Sequence, residues 1–534
     1  MFGSSSRPIA PSFVPFSREN KEPMAHSSHM AQLEQIGKLR TKDIKPGTEL
    51  RITVAPEDDL FLRAHSRIPD TFATAEIFGM ELVLGHEYKI QRGTSVAIFS
   101  HHGCTVEMRG PTTMEYDASN HVMADYVNLA GILEQKRKKA EDEKGSILSA
   151  PRVLVTGSDY SGKSTLCLFL SNMALRRHRR PIFVELDPGS LSSHRQLPSI
   201  PGCISALQVD HSAYELNQEP VHVGRLNLHK GLDQGAPAPH LNPNYPIGKS
   251  VSYWFGSEDW RSDPAVFWKC MAQLSCLVAA REEVVDTSTN PVVQADGVRL
   301  ENPTKGGLIV NAPKNASNEL IDEIVKLYSI NVVVVIDDQA KYDHFSAKYG
   351  TGEADGDNGN STDKNALIYL DSIEGDGQES KVEVVHLGKS GAVIPANSEE
   401  DRNRLLHMKF ADYFHGPERD MVCQNFIIPL RELLISKVVV RRDGEKNSSW
   451  NSRFAIQPFQ DNAGRLRHSI LAVVLAPSFE DIVQSSVTGL VWVRDVTDPD
   501  DPVNACLHVM CTSSGPLVSN YLLHGDLDLL KYYE

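Results

Sequence analysis

The sequence predicts a multidomain α/β protein in which a central parallel sheet lies between two β-rich regions. The chain has 534 residues, which is more than one hydrophobic core usually organises. In its middle part, apolar runs alternate with helix-length segments, an order typical of parallel strands with crossover helices. Before and after that part, short β-type runs are separated by turns rich in Gly, Pro and Asp.

Composition shifts divide the chain into five segments. Residues 1–28 are rich in Ser, Pro and Met and lack the apolar core of a signal peptide, which predicts a disordered tail. Residues 350–364 contain almost no apolar side chains and predict a mobile insertion. The predicted segments are the tail (1–30), an N-terminal β domain (31–127), a charged helical linker (128–146), a central domain with the insertion (147–418), and a β-rich C-terminal domain (419–534).

The composition excludes two classes of protein. No window approaches the roughly 18 consecutive apolar residues that a membrane span needs. A net charge of −15 argues against a protein that coats nucleic acid, so any RNA contact must be local. Without CxxC pairs or zinc-finger spacing, the cysteines predict reduced core thiols in a protein of the cytosol or nucleus. They are Cys104, Cys167, Cys203, Cys270, Cys276, Cys423, Cys506 and Cys511.

Two charged stretches each allow two interpretations. LEQKRKKAEDEKG at 133–145 predicts a solvated connecting helix, or alternatively a basic strip that docks RNA. The basic run at 176–180 predicts cations at a helix C-terminus, or alternatively a contact with RNA. The first interpretation is the simpler one in both cases.

A strand-like run, VLVTG at 153–157, passes into a glycine-rich loop and then into a helix-compatible stretch. In this setting the loop is a complete Walker A motif, in the order Gly157, Ser158, Asp159, Tyr160, Ser161, Gly162, Lys163, Ser164. The glycines let backbone N–H groups surround a triphosphate. Lys163 would reach the β- and γ-phosphates, and the Ser164 hydroxyl would bind Mg²⁺. The sequence therefore predicts a nucleotide-binding site.

Two further predicted strands end in polar residues. Asp187 follows PIFVEL and could act as a general base or orient Mg²⁺, although Asp-Pro-Gly is also a turn in which Asp caps itself. Asn311 ends GGLIVN where a Walker B carboxylate would stand, so it could hold Mg²⁺ through water but could not be a base. Because ligands bind beyond the carboxyl ends of parallel strands, we expect the loop, Asp187 and Asn311 to converge.

The order of these motifs resembles one family. AEIFGMEL (75–82) and HGC (102–104) precede the Walker A loop and VELD, and SIPGCIS (199–205), WFG (254–256), GGLIVN and DYFHG (412–416) follow. The chain thereby resembles the polynucleotide 5′-hydroxyl-kinase family, in the branch that serves as the kinase-like subunit of the pre-mRNA cleavage and polyadenylation complex, within cleavage factor IA. The resemblance extends from about residue 36 to 530.

The resemblance implies an N-terminal β-sandwich, a central P-loop kinase-type domain and a small β-rich C-terminal domain, with ATP and Mg²⁺ held between the first two. Glu49 would contact the adenine. Ser95 falls where the family usually carries a second adenine-side residue, a lysine. Ser164 is the implied metal ligand. The implied phosphate-binding residues are Asp159, Tyr160, Ser161, Gly162, Lys163, Ser164 and Thr165.

The chain departs from the family where catalysis is concerned. Active members follow the residue that matches Asp187 with a Gly-Gln pair, whereas here a Pro-Gly pair follows. NAPKNASNE (311–319) replaces a Gly-Trp clamp, and only Arg402 and Arg404 remain of an arginine-bearing lid. Since such groups stabilise the transferring phosphoryl charge, we expect Asp187, Arg402 and Arg404 to support little turnover of bound ATP.

The resemblance therefore implies an ATP-binding structural subunit of the nuclear machinery that cleaves pre-mRNA before polyadenylation. The implied partners are the scaffold subunit that contacts the RNA polymerase II C-terminal tail and other cleavage and polyadenylation subunits, with RNA an open alternative. The rival hypothesis is an active RNA 5′-hydroxyl kinase in which Asp187 accepts the hydroxyl proton and Arg402 or Arg404 shields charge. A generic P-loop ATPase or GTPase is disfavoured, because a Walker B carboxylate and an NKxD-type sequence are missing.

Overall fold

A computed structural model describes most of the chain. The predicted tail at 1–30 and the predicted insertion at 350–364 lie outside the described residues. Among the helices that are described, none is both long and apolar enough to cross a membrane. The domain boundaries stay predictions. The described residues are 39–56, 58–67, 72–118, 122–142, 150–190, 200–209, 221–222, 250–287, 306–349, 382–390, 399–415, 422–441, 453–501, 503–512 and 517–528.

Two five-stranded sheets form the N-terminal β-sandwich. Its strands are β1 (Arg40–Ile44), β2 (Thr48–Val54), β3 (Leu60–His65), β4 (Glu76–Ile77), β5 (Met80–Glu81), β6 (Glu87–Ile90), β7 (Ser95–Ser100), β8 (Cys104–Arg109) and β9 (Thr112–Asp117), joined by β13 (Val221–His222). The sheet orders are β1-β8-β3-β6-β13 and β5-β4-β7-β2-β9. Buried and half-buried residues alternate in β3, so Leu60 and Leu62 enter the core between the sheets.

The charged linker forms a helix, but this helix is not solvated as predicted. α1 spans Met123–Asp142 and buries residues along its whole length. Even its Arg137 is buried, with 3% of its surface exposed. Arg137 Nε donates to the carbonyl of Gly306 at 2.9 Å, which compensates part of the cost of burying the charge. This partner lies 169 residues away in the chain, so the sequence around Arg137 does not indicate the contact.

A seven-stranded sheet is the framework of the central domain. Its strands are β10 (Arg152–Gly157), β11 (Ile182–Glu185), β12 (Cys203–Gln208), β14 (Ser250–Trp254), β15 (Leu308–Asn311), β16 (Val332–Ile336) and β17 (Glu383–Leu387), in the order β14-β12-β11-β15-β10-β16-β17. From β11 to β17 the neighbours are parallel, as predicted. β12 pairs antiparallel with both β11 and β14, so the sheet is mixed at that edge.

Helices cover both faces of the central sheet. They are α2 (Lys163–Leu175), α3 (Pro264–Thr287), α4 (Asn318–Leu327) and α5 (Gln339–Tyr349). Val153 and Val155 of β10 pack in one core with α1, α2 and the sandwich, whereas Leu154 packs in a second core with α3 and α4. Strands buried on both faces read as continuous apolar runs, as in the VVVVI of β16. The sandwich and the helix after the glycine-rich loop therefore share a core.

The C-terminal region forms a second seven-stranded sheet with helix α6 (Glu399–His415) against it. Its strands are β18 (Gln424–Pro429), β19 (Leu434–Arg441), β20 (Arg453–Pro458), β21 (Ser469–Val474), β22 (Val487–Thr497), β23 (Cys506–Cys511) and β24 (Tyr521–Asp528). Leu406, Phe410 and Phe414 of α6 are buried in a core with β21 and β22. This architecture is the β-rich third domain that the sequence predicted.

Two glycines join the central and C-terminal domains through backbone contact. The Gly256 carbonyl accepts the N–H of Asp526 at 2.7 Å. A Cβ built on Gly525 would lie 2.3 Å from the Gly256 oxygen, and one built on Gly256 would lie 2.8 Å from the Gly525 Cα. No side chain fits at either position without displacement, so the WFG sequence after β14 is held directly against β24.

The cysteines are free, as predicted, but they are not all in the core. Cys276 is exposed, because it lies on the outer face of α3 between the inward positions Leu274 and Val278. Cys423 and Cys506 are partly exposed. The cysteines that are buried as expected are Cys104, Cys167, Cys203, Cys270 and Cys511.

Candidate functional site

The glycine-rich loop connects the carboxyl end of β10 with the N-terminus of α2. Gly157 has a φ of 143°, and a Cβ built on it would lie 2.1 Å from the carbonyl oxygen of Ile336 on β16. Only glycine fits at this position. α2 begins at Lys163, with Gly162 as its N-cap. A helix N-terminus of this kind offers backbone N–H groups to an anion.

Two polar side chains of the loop, Ser161 and Lys163, are buried at this helix N-terminus. The Lys163 ammonium donates to the carbonyl of Ser158 at 3.1 Å, and burial lowers its pKa against the attraction of the Asp187 carboxylate. Ser161 is fully buried, and its hydroxyl has no hydrogen-bond partner among the described residues. An ammonium and a hydroxyl in this setting fit phosphate oxygens. The turn brings together Asp159, Tyr160, Ser161, Gly162, Lys163, Ser164 and Thr165.

Glu185, which the sequence analysis did not select, lies beside the loop. It ends β11 in parallel register with Asn311 of β15. The Asn311 amide donates to the two Glu185 carboxylate oxygens at 2.9 and 3.0 Å, and to the Ser164 hydroxyl at 3.0 Å. Burial and the neighbouring Asp187 carboxylate raise the pKa of Glu185 to about 7. The one sequence signal was its place two residues before Asp187 at the end of an apolar strand.

This cluster fits a magnesium ion. The Asn311 amide nitrogen is fixed by its acceptors, so the orientation of the amide oxygen is fixed too. That oxygen, Oδ1, is buried and has no hydrogen-bond partner within the described part of the chain. Because Mg²⁺ prefers oxygen ligands and keeps several waters, the Ser164 hydroxyl would hold it directly, with Asn311 and Glu185 reached through water. When bound, the ion would neutralise charge on the phosphates.

Asp187 lies in a turn and beside the phosphate loop at once. Its Oδ1 accepts the N–H of Gly189 at 3.1 Å, which is the turn cap that the sequence allowed. Its own N–H donates to Glu185 at 3.0 Å. Burial raises the pKa of the Asp187 carboxyl, and the nearby Lys163 ammonium opposes this shift. The carboxylate therefore stands between the phosphate loop and the cleft that opens next to it.

That cleft has a volume of about 330 Å³. Three segments supply most of its wall: the loop after β14, the turn after β15 and the end of β24. The lining residues are Asp187, Ser257, Glu258, Asp259, Trp260, Arg261, Lys314, Asn315, Arg402, Asp526 and Leu527. Both cations and carboxylates therefore line the cleft next to Asp187.

Helix α6 contributes its cations unequally. Arg402 lines the cleft and forms an ion pair with Glu258 at 3.1 Å. Arg404 is exposed and does not line the cleft, so the structure does not bring it to the other predicted residues. Lys409, which the sequence analysis missed, donates to the carbonyl of Ser190. Burial lowers the pKa of Lys409, against the attraction of Glu185 and Asp187.

The two predicted base-side residues lie apart on neighbouring strands. Glu49 of β2 is buried and pairs with Arg51 at 3.3 Å. Arg51 also donates to the carbonyl of Ser390, which follows β17 of the central sheet. Ser95 of β7 lies opposite Thr53, with their hydroxyls 3.0 Å apart. Since Thr53 is four residues from Glu49 along β2, the strand rise puts Ser95 roughly 13 Å from Glu49 in that direction.

The basic run at the end of α2 forms ion pairs within the protein. Arg176 lies 3.1 Å from Glu76 and 3.1 Å from Glu81 of the sandwich. Arg179 is buried and pairs with Glu134 of α1 at 2.8 Å. These arginines therefore tie α2 to the sandwich and to α1, a role that neither interpretation of the sequence included.

Two family models match the chain. The model described as the N-terminal beta-sandwich domain of polyadenylation factor covers residues 43–140. The model described as the mRNA cleavage and polyadenylation factor CLP1 P-loop covers residues 157–233. The chain belongs to the CLP1 family.

CLP1 relatives are similar to the chain along most of its length. The Protein CLP1 homolog of Nematostella vectensis is 25% identical over 501 residues, covering 92% of this chain and 96% of the relative. The mRNA cleavage and polyadenylation factor CLP1 of Phaeosphaeria nodorum is 26% identical over 502 residues, covering 91% and 92%. The Polyribonucleotide 5′-hydroxyl-kinase Clp1 of Homo sapiens is 24% identical over 502 residues, covering 92% and 99%.

Solved structures of CLP1 proteins share the fold. Wild-type Clp1p in complex with a Pcf11p fragment matches with a TM-score of 0.65 at 19% identity, covering 92% of this chain and 98% of that chain. A second structure, which concerns an extended interface between Pcf11p and Clp1p and ATP loss in a point mutant, matches with a TM-score of 0.62 at 17% identity, covering 92% and 99%. At these identities the likeness establishes the fold. The predicted fold class and family are thereby confirmed.

Proposed function

We propose that the chain is an ATP-binding structural subunit of a pre-mRNA cleavage factor in the nucleus. In this role it is required for endonucleolytic cleavage and for polyadenylation-dependent mRNA 3′-end formation, and it does not depend on phosphate transfer. The names of its CLP1 relatives, which include an mRNA cleavage and polyadenylation factor, support this assignment. ATP with Mg²⁺ is the proposed ligand, held by the glycine-rich loop, Ser164 and Asn311.

One arrangement carries the proposal: the sandwich packs against α2, the helix that follows the phosphate loop, and against the segment after β17. Arg51, next to Glu49, binds the Ser390 carbonyl of the central domain. On α2, the Asn172 amide donates to the Phe78 carbonyl of the sandwich at 2.7 Å. A ligand that contacts Glu49 at one end and Lys163 at the other binds only when the two domains are assembled. By mass action, such a ligand stabilises the assembled state without being hydrolysed.

The proposed partner is the scaffold subunit that also contacts the RNA polymerase II C-terminal tail. Support comes from the fold neighbour that was solved with a Pcf11p fragment. Other cleavage and polyadenylation subunits would join through that scaffold.

Replacing the loop lysine tests this function. Lys163→Ala should abolish copurified ATP and lower the melting temperature by about 2 to 3 °C, since a ligand at a hundred times its Kd contributes about 2.7 kcal/mol. The amount of scaffold subunit that the immobilised protein captures should fall in parallel. Lys326→Ala is the matched control, because Lys326 is 68% exposed and distant from the loop. A Lys163→Ala protein that lacks ATP but keeps wild-type melting and scaffold capture would contradict the proposal.

A second function, RNA 5′-hydroxyl kinase, is favoured by the place of Asp187 between Lys163 and the cleft. There the carboxylate could accept the proton of a hydroxyl group in the cleft, and its raised pKa suits a base. Phosphate transfer from labelled ATP to a 5′-hydroxyl RNA measures this activity. Transfer by the wild type that Asp187→Asn abolishes, with ATP binding retained, would establish the kinase. No transfer by a protein that contains ATP would leave the structural role.

A further inference from the structure

The loop that follows β14 is fixed against three sides of the cleft. The Trp260 indole N–H donates to the carbonyl of Lys314 at 2.9 Å. Gly189 packs on the backbone of Glu258 so closely that a Cβ on Gly189 would lie 2.3 Å from the Glu258 carbonyl oxygen. The Glu258 side chain binds Arg402 of α6. The loop therefore holds Glu258 and Asp259 at fixed places in the wall of the cleft.

Each cation that lines the cleft has a carboxylate partner. Arg402 donates to Glu258 Oε2 from Nη2 at 3.1 Å and from Nε at 3.3 Å. Arg261 binds both oxygens of Asp259, with contacts at 2.6, 2.9 and 3.1 Å. The Lys314 ammonium lies 3.8 Å from Asp159 of the glycine-rich loop.

The charges of the lining residues sum to a negative value. Four carboxylates, Asp187, Glu258, Asp259 and Asp526, face the three cations Arg261, Lys314 and Arg402, which leaves −1 when all are ionised. A polynucleotide end brings phosphates, and its affinity comes from cations that are available to neutralise them. Cations that are already paired with carboxylates attract a phosphate less, because the charge of the carboxylate stays beside them and repels the phosphate.

We propose that Glu258 and Asp259 are specificity-determining residues that close the cleft to the phosphates of an RNA 5′ end. They do so by occupying Arg402 and Arg261. The inference rests on the proposed function and deepens it, because it gives a physical reason why a CLP1 protein with an intact phosphate loop would hold ATP without phosphorylating RNA. The cations remain in the cleft, but neighbouring carboxylates neutralise their charge.

The test is RNA binding by the full chain carrying Glu258→Gln and Asp259→Asn. Fluorescence anisotropy would follow a labelled 5′-hydroxyl RNA oligonucleotide over a series of salt concentrations, with ATP and Mg²⁺ present. Binding should tighten about tenfold or more at low salt. The slope of log affinity against log salt should steepen by about 1.4, because each cation on a single strand contributes about 0.7. Adding Arg402→Ala to the same protein should remove about half of that change.

A matched control separates the cleft from net charge. Asp461→Asn with Asp495→Asn removes two carboxylates that pair with Arg465 and Arg467 on the exposed face of the C-terminal domain, and should leave RNA binding unchanged. Glu258→Gln alone, which keeps the side-chain shape, should produce about half the slope change. The single variant Glu258→Gln replaces the double variant if the melting temperature of the double variant is much lower than that of the wild type.

Three results would overturn the inference: equal RNA affinity in wild type and variant, an equal gain in the control, or a gain that Arg402→Ala does not reduce. The ATP content of every protein is measured in parallel. A wild type without ATP would count against the proposed function, whereas a variant that contains ATP but gains no RNA affinity would count against this inference alone.

Discussion

The glycine-rich loop and the cleft beside it differ in what determines their properties. At the loop, backbone geometry dominates: Gly157 is the only residue that fits, and Lys163 and Ser161 are buried at a helix N-terminus. At the cleft, side-chain charge dominates, and the cations are paired with carboxylates such as Glu258. Holding a nucleotide and receiving a second substrate are therefore separate physical properties of this protein. One can be retained while the other is lost.

The largest expected effect concerns the loop. Gly157→Ala would place a methyl group 2.1 Å from the Ile336 carbonyl at a φ of 143°. Strain of order 3 kcal/mol should weaken ATP binding about 100-fold, as measured by titration calorimetry. Gly131→Ala is the control, since a Cβ there meets nothing within 4 Å and lies in helix α1. Unchanged ATP affinity in Gly157→Ala would break the view that backbone geometry governs the loop.

An effect of similar size, but on folding stability, is expected where the loop meets the buried carboxylate. Asn311→Asp would put a second acid against Glu185 and remove the amide donor. Without Mg²⁺ the free energy of unfolding should fall by about 3 kcal/mol, and added Mg²⁺ should restore part of it. Asn318→Asp, the same change in the first turn of α4, should not destabilise the protein. Chemical denaturation with and without Mg²⁺ decides, and equal losses in both conditions would argue against a metal site at Asn311.

The pH dependence of folding stability should report the raised pKa of the Glu185 carboxyl. The pKa of Glu185 is raised from 4.5 to about 7 in the folded state, so the folded protein binds the extra proton. Without nucleotide and Mg²⁺, its contribution is present below pH 4.5 and is lost as the pH rises through about 7. The loss is at most about 3 kcal/mol. Denaturation from pH 5 to 8 should show this decline in the wild type and a flatter curve in Glu185→Gln; parallel curves would refute the assignment.

The smallest effect is expected at the cleft. Arg261 and Asp259 are 56% and 44% exposed, so solvent screens their ion pair. Asp259→Asn should change the free energy of unfolding by less than about 1 kcal/mol. A loss of several kcal/mol in a denaturant titration would mean that the loop after β14 supports the fold and does more than set the charge of the cleft.

The sequence predicted those parts of the molecule that rest on local pattern. Continuous apolar runs such as VVVVI identified strands of the parallel sheet, because strands buried on both faces have no polar side to alternate with. The Walker A loop was recognised because its glycines are required by backbone geometry. The antiparallel β12 was missed as a strand, since its pairing at the sheet edge depends on β14, more than forty residues later.

Features that depend on distant side chains were not predictable. Glu258 and Arg402 are 144 residues apart, and nothing in either stretch indicates the other. The same reason explains the errors at α1, where Arg137 and Glu134 are buried among partners from elsewhere in the chain. Glu185 was overlooked because its role comes from register with Asn311 on the next strand, which only the sheet order reveals.

The contact between Gly256 and Gly525 connects the cleft mechanically to the C-terminal sheet. Because no side chain separates the two backbones, a shift of one backbone moves the other directly. Gly256 immediately precedes Ser257 and Glu258 in the chain, so a tilt of β24 would be delivered within two residues to the ion pair with Arg402. A partner that binds the C-terminal domain far from Asp187 could therefore change which charges the cleft presents without contacting the cleft.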